Sequence, residues 1–303
     1  MNILVTGGNG FIGSHFIEET INLPYISNIY NISNKPKVIL PHHNNQKYKE
    51  YNLDLSSDEF LNKKDEISKL NIDYIIHLAS HSNIDTSIKN PGLFAKSNVT
   101  GLINLLECFK NSNVKKIINV STIEVFGDFA STDNLIYEPK NPYAICKTTN
   151  ELFCKYYQDH YKLPIVITNC SSNFGERQSV DKFIPMCVYN LKNKIPISLY
   201  GTGKNTRNWL YVKDHVEKLK EILFLTDNTL RYTILGQNYI SNYDLIHKIK
   251  EIYVDLTNDT VIDQWFEYKE DRRGHTNHVY SNPTTDNLNN FDALLTKTIQ
   301  SYL

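Results

Sequence analysis

Paired cysteines are missing from this chain. The five it has, Cys108, Cys146, Cys154, Cys170 and Cys187 in 303 residues, form no CxxC pair and do not cluster with histidine, which excludes a disulfide framework and a zinc site and fits reduced thiols in the cytoplasm. An excess of charge of one sign is missing too. With 32 basic and 33 acidic residues the net charge is -1, so there is no basic field for nucleic acid and no polybasic segment for a membrane surface. No apolar run reaches the length needed to span a bilayer, and the start MNILVTGG lacks the basic stretch and long apolar stretch of a secretion signal. The adjacent His42 and His43 have no acidic or cysteine partner at helical spacing and read as loop, not as metal ligands. The tyrosines are not interleaved with basic residues as a base-stacking surface requires. The partner left by these exclusions is a small molecule.

A chain of this length can bury roughly three quarters of its unfolded surface. Short apolar runs at 3–6, 29–32, 74–78, 117–121 and 165–169 alternate with segments of helical period around 11–22, 56–70, 91–111 and 142–161. This alternation is that of an α/β fold, a doubly wound parallel sheet covered by helices. Past residue 175 the rhythm loosens into shorter elements at 183–193, 207–211, 213–225, 231–235 and 241–253. The expectation is a dinucleotide-binding domain over 1–175 and a smaller α/β substrate lobe over 176–303. In an open α/β sheet the ligand sits beyond the carboxyl ends of the strands.

Directly after the first strand comes GGNGFIG, with Gly7, Gly10 and Gly13 before a helix starting near Phe11. Glycine there lets the backbone turn sharply and approach a pyrophosphate, whose charge meets the helix N-terminus. An acidic residue about 20 positions on usually grips the adenosine ribose; this chain has Ser33. Ser33 and Asn34 can hydrogen-bond a ribose, while Lys35 or Lys37 can meet a 2'-phosphate, so these residues leave both NAD and NADP open. Asp54 suits an adenine contact if its strand ends at the sheet edge. Farther along, Tyr143 and Lys147 form YxxxK on a helical segment and project from one face. An ammonium beside a phenol favours the phenolate, and that pair can deprotonate an alcohol as hydride leaves for a nicotinamide.

With these motifs and TGGNGFIGSHF, HLASHSNIDTSIKNP, STIEVFGD, NPYAICKTTNE, TNCSSNFGERQ, LYGTGKNTRNWLYVKDH and DRRGH, the chain resembles the extended short-chain dehydrogenases/reductases, and among them the dTDP-glucose 4,6-dehydratases. The resemblance implies a Rossmann fold, an NAD cofactor, a nucleoside diphosphate hexose as substrate and a homodimer built from the helices at 91–111 and 142–161. It implies cofactor contacts at Phe11, Ile12, Leu55, Leu78, Ala79, Asn98, Ser121 and Cys170 besides the residues above. It puts Ser82 and Asp85 beside the sugar, Asn173 and Lys182 at the diphosphate, and Arg207, Asn238 and Arg272 on phosphate or nucleotide, with Tyr200 as a further substrate contact. A guanidinium fork such as that of Arg207 suits phosphate oxygens.

In those dehydratases a Thr-Asp-Glu run positions the C4 alcohol, protonates the departing C6 hydroxyl and takes the C5 proton. Here the run is Thr122-Ile123-Glu124, and isoleucine cannot donate a proton. Either Glu124 does both tasks or the reaction stops before elimination, giving a C4 epimerase, a dehydrogenase or a decarboxylase; a cofactor-binding module without catalysis is the remaining alternative. The family's GHD is a second departure, reading GHT here, with no arginine cluster after it.

Overall fold

The computed structural model describes all residues except 36–39, 131–135, 228, 237, 278 and 281–290, with the backbone alone for 129, 130, 279 and 280. In chain order its strands are β1 (Asn2–Thr6), β2 (Asn28–Ser33), β3 (Tyr48–Asn52), β4 (Tyr74–His77), β5 (Lys116–Thr122), β6 (Phe129–Ala130), β7 (Ile165–Cys170), β8 (Ser172–Phe174), β9 (Ile197–Tyr200), β10 (Thr206–Tyr211), β11 (Arg231–Ile234), β12 (Asn238–Ser241), β13 (Phe266–Lys269) and β14 (Val279–Tyr280). They fall into two interleaved units. Unit 1 is Met1–Thr122, Pro142–Asn169 and Val216–Ile234; unit 2 is Ile123–Asn141, Cys170–His215 and Leu235–Leu303.

Unit 1 is built on a seven-stranded sheet in the order β11-β7-β5-β4-β1-β2-β3, parallel from β3 through β5. Every residue of β5 and of β7 is buried, as expected where helices cover both faces of a parallel sheet. Leu4, Ile75, Ile117 and Ile165 of the strands pack with Phe60, Leu102, Leu105, Phe109 and Cys154 of the helices Asp58–Ser68, Gly101–Phe109 and Pro142–Tyr161. The first of these helices begins on Ser57, whose hydroxyl accepts from Phe60 N, with Asp58 and Glu59 in the first turn; both features suit a helix N-terminus. Strand order reverses between β1 and β4, and at such a switch point the strand ends open a crevice for a ligand.

Two elements of unit 1 differ from the sequence reading. The segment 91–111 is not one regular helix: it runs Pro91–Phe94, then a π-helical stretch Ala95–Thr100, then Gly101–Phe109. Within the π stretch the Asn98 carbonyl takes Asn150 Nδ2 at 3.1 Å, a tertiary bond that no local pattern announces. Residues 231–234, read among the looser elements past 175, form the edge strand β11 beside β7, with Ile167 N on Leu230 O at 2.9 Å.

Unit 2 has a three-stranded sheet, β12-β10-β8, and two strand pairs, β13-β9 and β14-β6. Its helices Phe183–Lys192, Asn242–Thr257 and Phe291–Gln300 pack on one another. Among the described residues no helix is long and apolar enough to cross a membrane, and no group of three or more His, Cys, Asp or Glu side chains could hold a metal ion. His42 and His43 lie in a short turn with their rings against Tyr48.

Candidate active site

The carboxyl ends of β1 and β4 are tied together by Thr6. Its hydroxyl shares a hydrogen bond with His77 Nδ1 at 2.8 Å and accepts from Leu78 N and Ala79 N at 3.3 Å. Gly7 follows with φ +75, and a Cβ on it would lie 2.8 Å from Ala79 N. A Cβ on Gly13 would lie 2.4 Å from Gly7 O and 2.8 Å from Gly8 Cα. The loop can turn this tightly, and the helix Phe11–Thr20 can press against it, only with glycine at both positions. Among the described residues no side chain caps the helix start at Gly10, and first-turn N–H groups left by a helix start are what an anion binds. Gly7, Gly10, Phe11, Ile12 and Gly13 thus form a cradle that fits a dinucleotide's pyrophosphate.

At the end of β2, Ser33 is buried and its hydroxyl accepts from Lys35 N at 3.3 Å. Asn34 Nδ2 donates to Asp54 Oδ2 at 3.0 Å, and Asp54 Oδ1 accepts from Ser56 N and Oγ at 2.8 and 2.7 Å. β3 is the sheet edge and Asp54 lies just past it. Burial pulls the Asp54 carboxyl upward, but the Ser56 and Asn34 donors and the Lys96 charge outweigh it and leave the group below its usual value. Leu55 is buried beside it. Lys37 lies outside the described residues. Asn98 spends its side chain on the backbone: Oδ1 accepts from His81 N at 2.8 Å and Nδ2 donates to His81 O at 2.9 Å. It therefore shapes the loop after Leu78 and Ala79, where Ser82 is exposed and Asp85 sits in the first turn of the helix Ile84–Lys89.

Tyr143 lies in the first turn of the helix Pro142–Tyr161, its backbone N–H on Ser87 Oγ at 3.3 Å and its ring edge-on to Phe94. Lys147, one turn on, is buried and donates to Val120 O at 2.9 Å. That bond fixes the ammonium against the end of β5, where Ser121 and Thr122 follow. A further turn along stands Glu151, absent from the sequence reading. It accepts from Ser121 Oγ, from Asn169 Nδ2 at 2.7 Å and from Arg231 Nη1 at 2.7 Å. Asn169 Nδ2 also reaches Thr122 O at 3.1 Å. The eight-residue spacing from Tyr143 was a visible signal for Glu151; Asn169 and Arg231 gave none.

In unit 2 the chain continues through Ile123, buried with Val125 and Phe126, to Glu124. Glu124 is buried, 7% exposed as a residue, and its Oε2 accepts from Thr276 Oγ1 at 3.0 Å and Asn141 Nδ2 at 3.4 Å. Arg207 is buried and donates Nη1 to the carbonyls of Thr276 and of Thr206; among the described residues Nη2 has no hydrogen-bond partner. Burial lowers the Arg207 guanidinium from its ordinary value, Arg272 lowers it further, and Glu124 opposes both. A buried cation with a donor to spare is suited to an anion. Arg272 stacks over the Tyr200 ring with its Cζ 5.5 Å from the centroid. Asn238 begins β12, opposite Trp209. Asn173 is engaged by protein: Oδ1 meets His215 Nδ1 at 2.8 Å, and Nδ2 donates to Ser171 O and to the Cys170 sulfur. Lys182 caps the helix Phe183–Lys192 with its backbone.

Residues 3–235 match the NAD dependent epimerase/dehydratase family. The whole chain is 30% identical to a probable dTDP-glucose 4,6-dehydratase of Sinorhizobium fredii (strain NBRC 101917 / NGR234), and covers 93% of it. Among solved structures it is similar to DesIV, a dTDP-glucose 4,6-dehydratase of Streptomyces venezuelae with NAD and TYD bound, at a TM-score of 0.87 and 26% identity over 100% of this chain and 97% of that one. A dTDP-glucose 4,6-dehydratase of Bacillus anthracis in complex with NAD gives 0.84 and 28% over 100% and 96%.

Proposed function

The chain belongs to the NAD dependent epimerase/dehydratase family, and from that premise we propose that it is a nucleotide-sugar 4,6-dehydratase. It converts a nucleoside diphosphate hexose into a 4-keto-6-deoxy product with loss of one water. NAD, when bound, accepts hydride from C4 and returns it to C6. The relatives named above make dTDP-glucose the first substrate to test. The glycine cradle supports dinucleotide binding, and the ionised Asp54 tied to Asn34 supports NAD over NADP, because a carboxylate there repels a 2'-phosphate.

In this reading Thr122 orients the C4 alcohol and Tyr143 takes its proton, with Lys147 supplying positive charge from the same helix face. Oxidation makes the C5 proton acidic. Glu124 removes it, becomes a neutral acid, and gives the proton to the C6 hydroxyl, which leaves as water. One proton enters and leaves the same carboxyl, so Ile123 need supply none; hydride return to C6 leaves C5 to take up a proton from solvent, to which Tyr143 releases the proton it took from the C4 alcohol. Arg207, Arg272, Lys182, Asn173, Tyr200 and Asn238 bind the nucleoside diphosphate, and Ser82 and Asp85 meet the sugar.

The observation that carries the proposal is the buried Glu124, two residues past Thr122, whose carboxyl accepts from Thr276 and Asn141. The test is to incubate the purified protein with dTDP-, UDP-, GDP- and CDP-hexoses and weigh the products. Loss of one water supports the dehydratase. Unchanged mass with inverted C4 replaces it with an epimerase, and no turnover with any of them replaces it with a binding module. We further assign a homodimer through the helices at 91–111 and 142–161, where Leu93, Ile145, Leu152 and Tyr156 are exposed apolar residues; a monomer mass by light scattering at micromolar concentration contradicts it. The five cysteines are free and buried, which supports a cytoplasmic location.

A further inference from the structure

We propose that Thr276 is the positioning residue that lets Glu124 act as base and then as acid; this deepens the dehydratase reading and rests on it. Thr276 is fully buried and its hydroxyl is 3.0 Å from Glu124 Oε2. Its backbone is pinned on both sides. Arg207 donates to its carbonyl, the next residue's N–H donates to Asp128 Oδ1 at 2.8 Å, and Gly274 turns at φ +68 so close to Lys140 that a Cβ would lie 2.2 Å from the Lys140 carbonyl. The hydroxyl is thus delivered to the carboxyl by a segment with little freedom to retreat.

The chemistry asks for such a partner. A carboxyl that alternates between ionised and neutral needs a neighbour that donates to the first state and accepts from the second. The Asn141 amide nitrogen on the same oxygen only donates, whereas a hydroxyl rotates to do either. Position 123 is isoleucine and position 276 is threonine, so neither adds a carboxyl beside Glu124. An aspartate at 276 would add a second negative charge beside Glu124 and oppose its ionisation. With threonine there, the one remaining carboxyl can pass through both states. Because Arg207 holds the Thr276 carbonyl, a substrate phosphate engaging Arg207 also settles the group that orients Glu124.

Thr276→Val keeps the shape and removes the hydroxyl. Two rates are measured on the cofactor-loaded enzyme with the hexose nucleotide it turns over: single-turnover C4 oxidation, followed by the near-ultraviolet absorbance of reduced nicotinamide, and water loss by product mass. Water loss is expected to fall about ten- to a hundredfold, the value of one hydrogen bond to a charged group. C4 oxidation and KM should stay within about twofold of the unaltered enzyme, so that reduced cofactor accumulates, and Thr276→Ser should restore water loss to within about threefold. Undiminished water loss in Thr276→Val overturns the assignment. So does an equal fall in oxidation and elimination, or failure of serine to rescue. If the valine variant does not fold, Thr276→Ala takes its place with the same expected split and the same overturning results. No water loss by the unaltered enzyme with any hexose removes the dehydratase reading itself, a result distinct from those of the variants.

Discussion

Arg231→Met tests whether the buried network behind β5 holds the cofactor unit together. The Glu151 side chain is 0% exposed and Arg231 is 24% exposed, with the ion pair at 2.7 Å. Breaking a buried pair from one side costs about 3–5 kcal/mol, because the remaining charge loses its compensation. Glu151 keeps Ser121 Oγ and Asn169 Nδ2 as donors, which puts the expected loss at the lower end, about 3 kcal/mol. For a unit of this size each kcal/mol moves the midpoint by about 2–4 °C, so the melting temperature should fall by about 6–12 °C. The assay is thermal unfolding by circular dichroism on Arg231→Met, Glu151→Leu and the double variant. The pair is coupled, so the double variant should lose less than the two single losses added together, by more than about 1 kcal/mol. Simple additivity, or a single Arg231→Met loss below about 1 kcal/mol, refutes the reasoning. Loss of this network should also loosen Thr122, whose carbonyl Asn169 holds.

Tyr143→Phe should retain nucleotide-sugar binding, measured by calorimetry, while C4 oxidation falls by about a hundredfold or more; near-normal turnover contradicts the assignment of Tyr143. Acid should destabilise the protein well before its carboxylates are protonated. Burial pulls His77 and His215 down to about 3, with Lys147 adding to the effect at His77, against an ordinary value of 6.5. The unfolded chain therefore binds protons that the folded one refuses, and stability is present above about 6.5 and lost as pH falls toward 3. The slope is at most about 1.4 kcal/mol per pH unit for each histidine. Denaturant midpoints that do not change from pH 7 to pH 5 contradict this.

The central strands were readable because strands covered on both faces are short apolar runs, as in KIINVST and IVITNC. The edge strand β3 was not, since YKEYN is polar and its identity comes only from pairing with β2. Tyr143 and Lys147 were readable from their spacing, and the glycines from their place after β1. Arg231 was not, because its meaning comes from Glu151, 80 residues away. The sequence pattern also could not tell side chains that face a ligand from those that build the frame. Asn98 and Asn173 both spend their amides on protein partners, His81 in one case and His215 in the other. Thr276 stood out only as a departure from GHD; its bond to Glu124 joins residues 152 positions apart and belongs to the fold.

In the proposed reaction one carboxyl, Glu124, carries the elimination without help from position 123. The mass of the sugar nucleotide that Glu124→Gln forms from the hexose nucleotide dehydrated by the unaltered enzyme tests this. Glutamine keeps the size of the side chain but can neither take the C5 proton nor return it. The expected product is the 4-keto sugar that has lost two hydrogens but no water, with the cofactor left reduced. Water loss at the unaltered rate contradicts the account and moves the elimination to another residue.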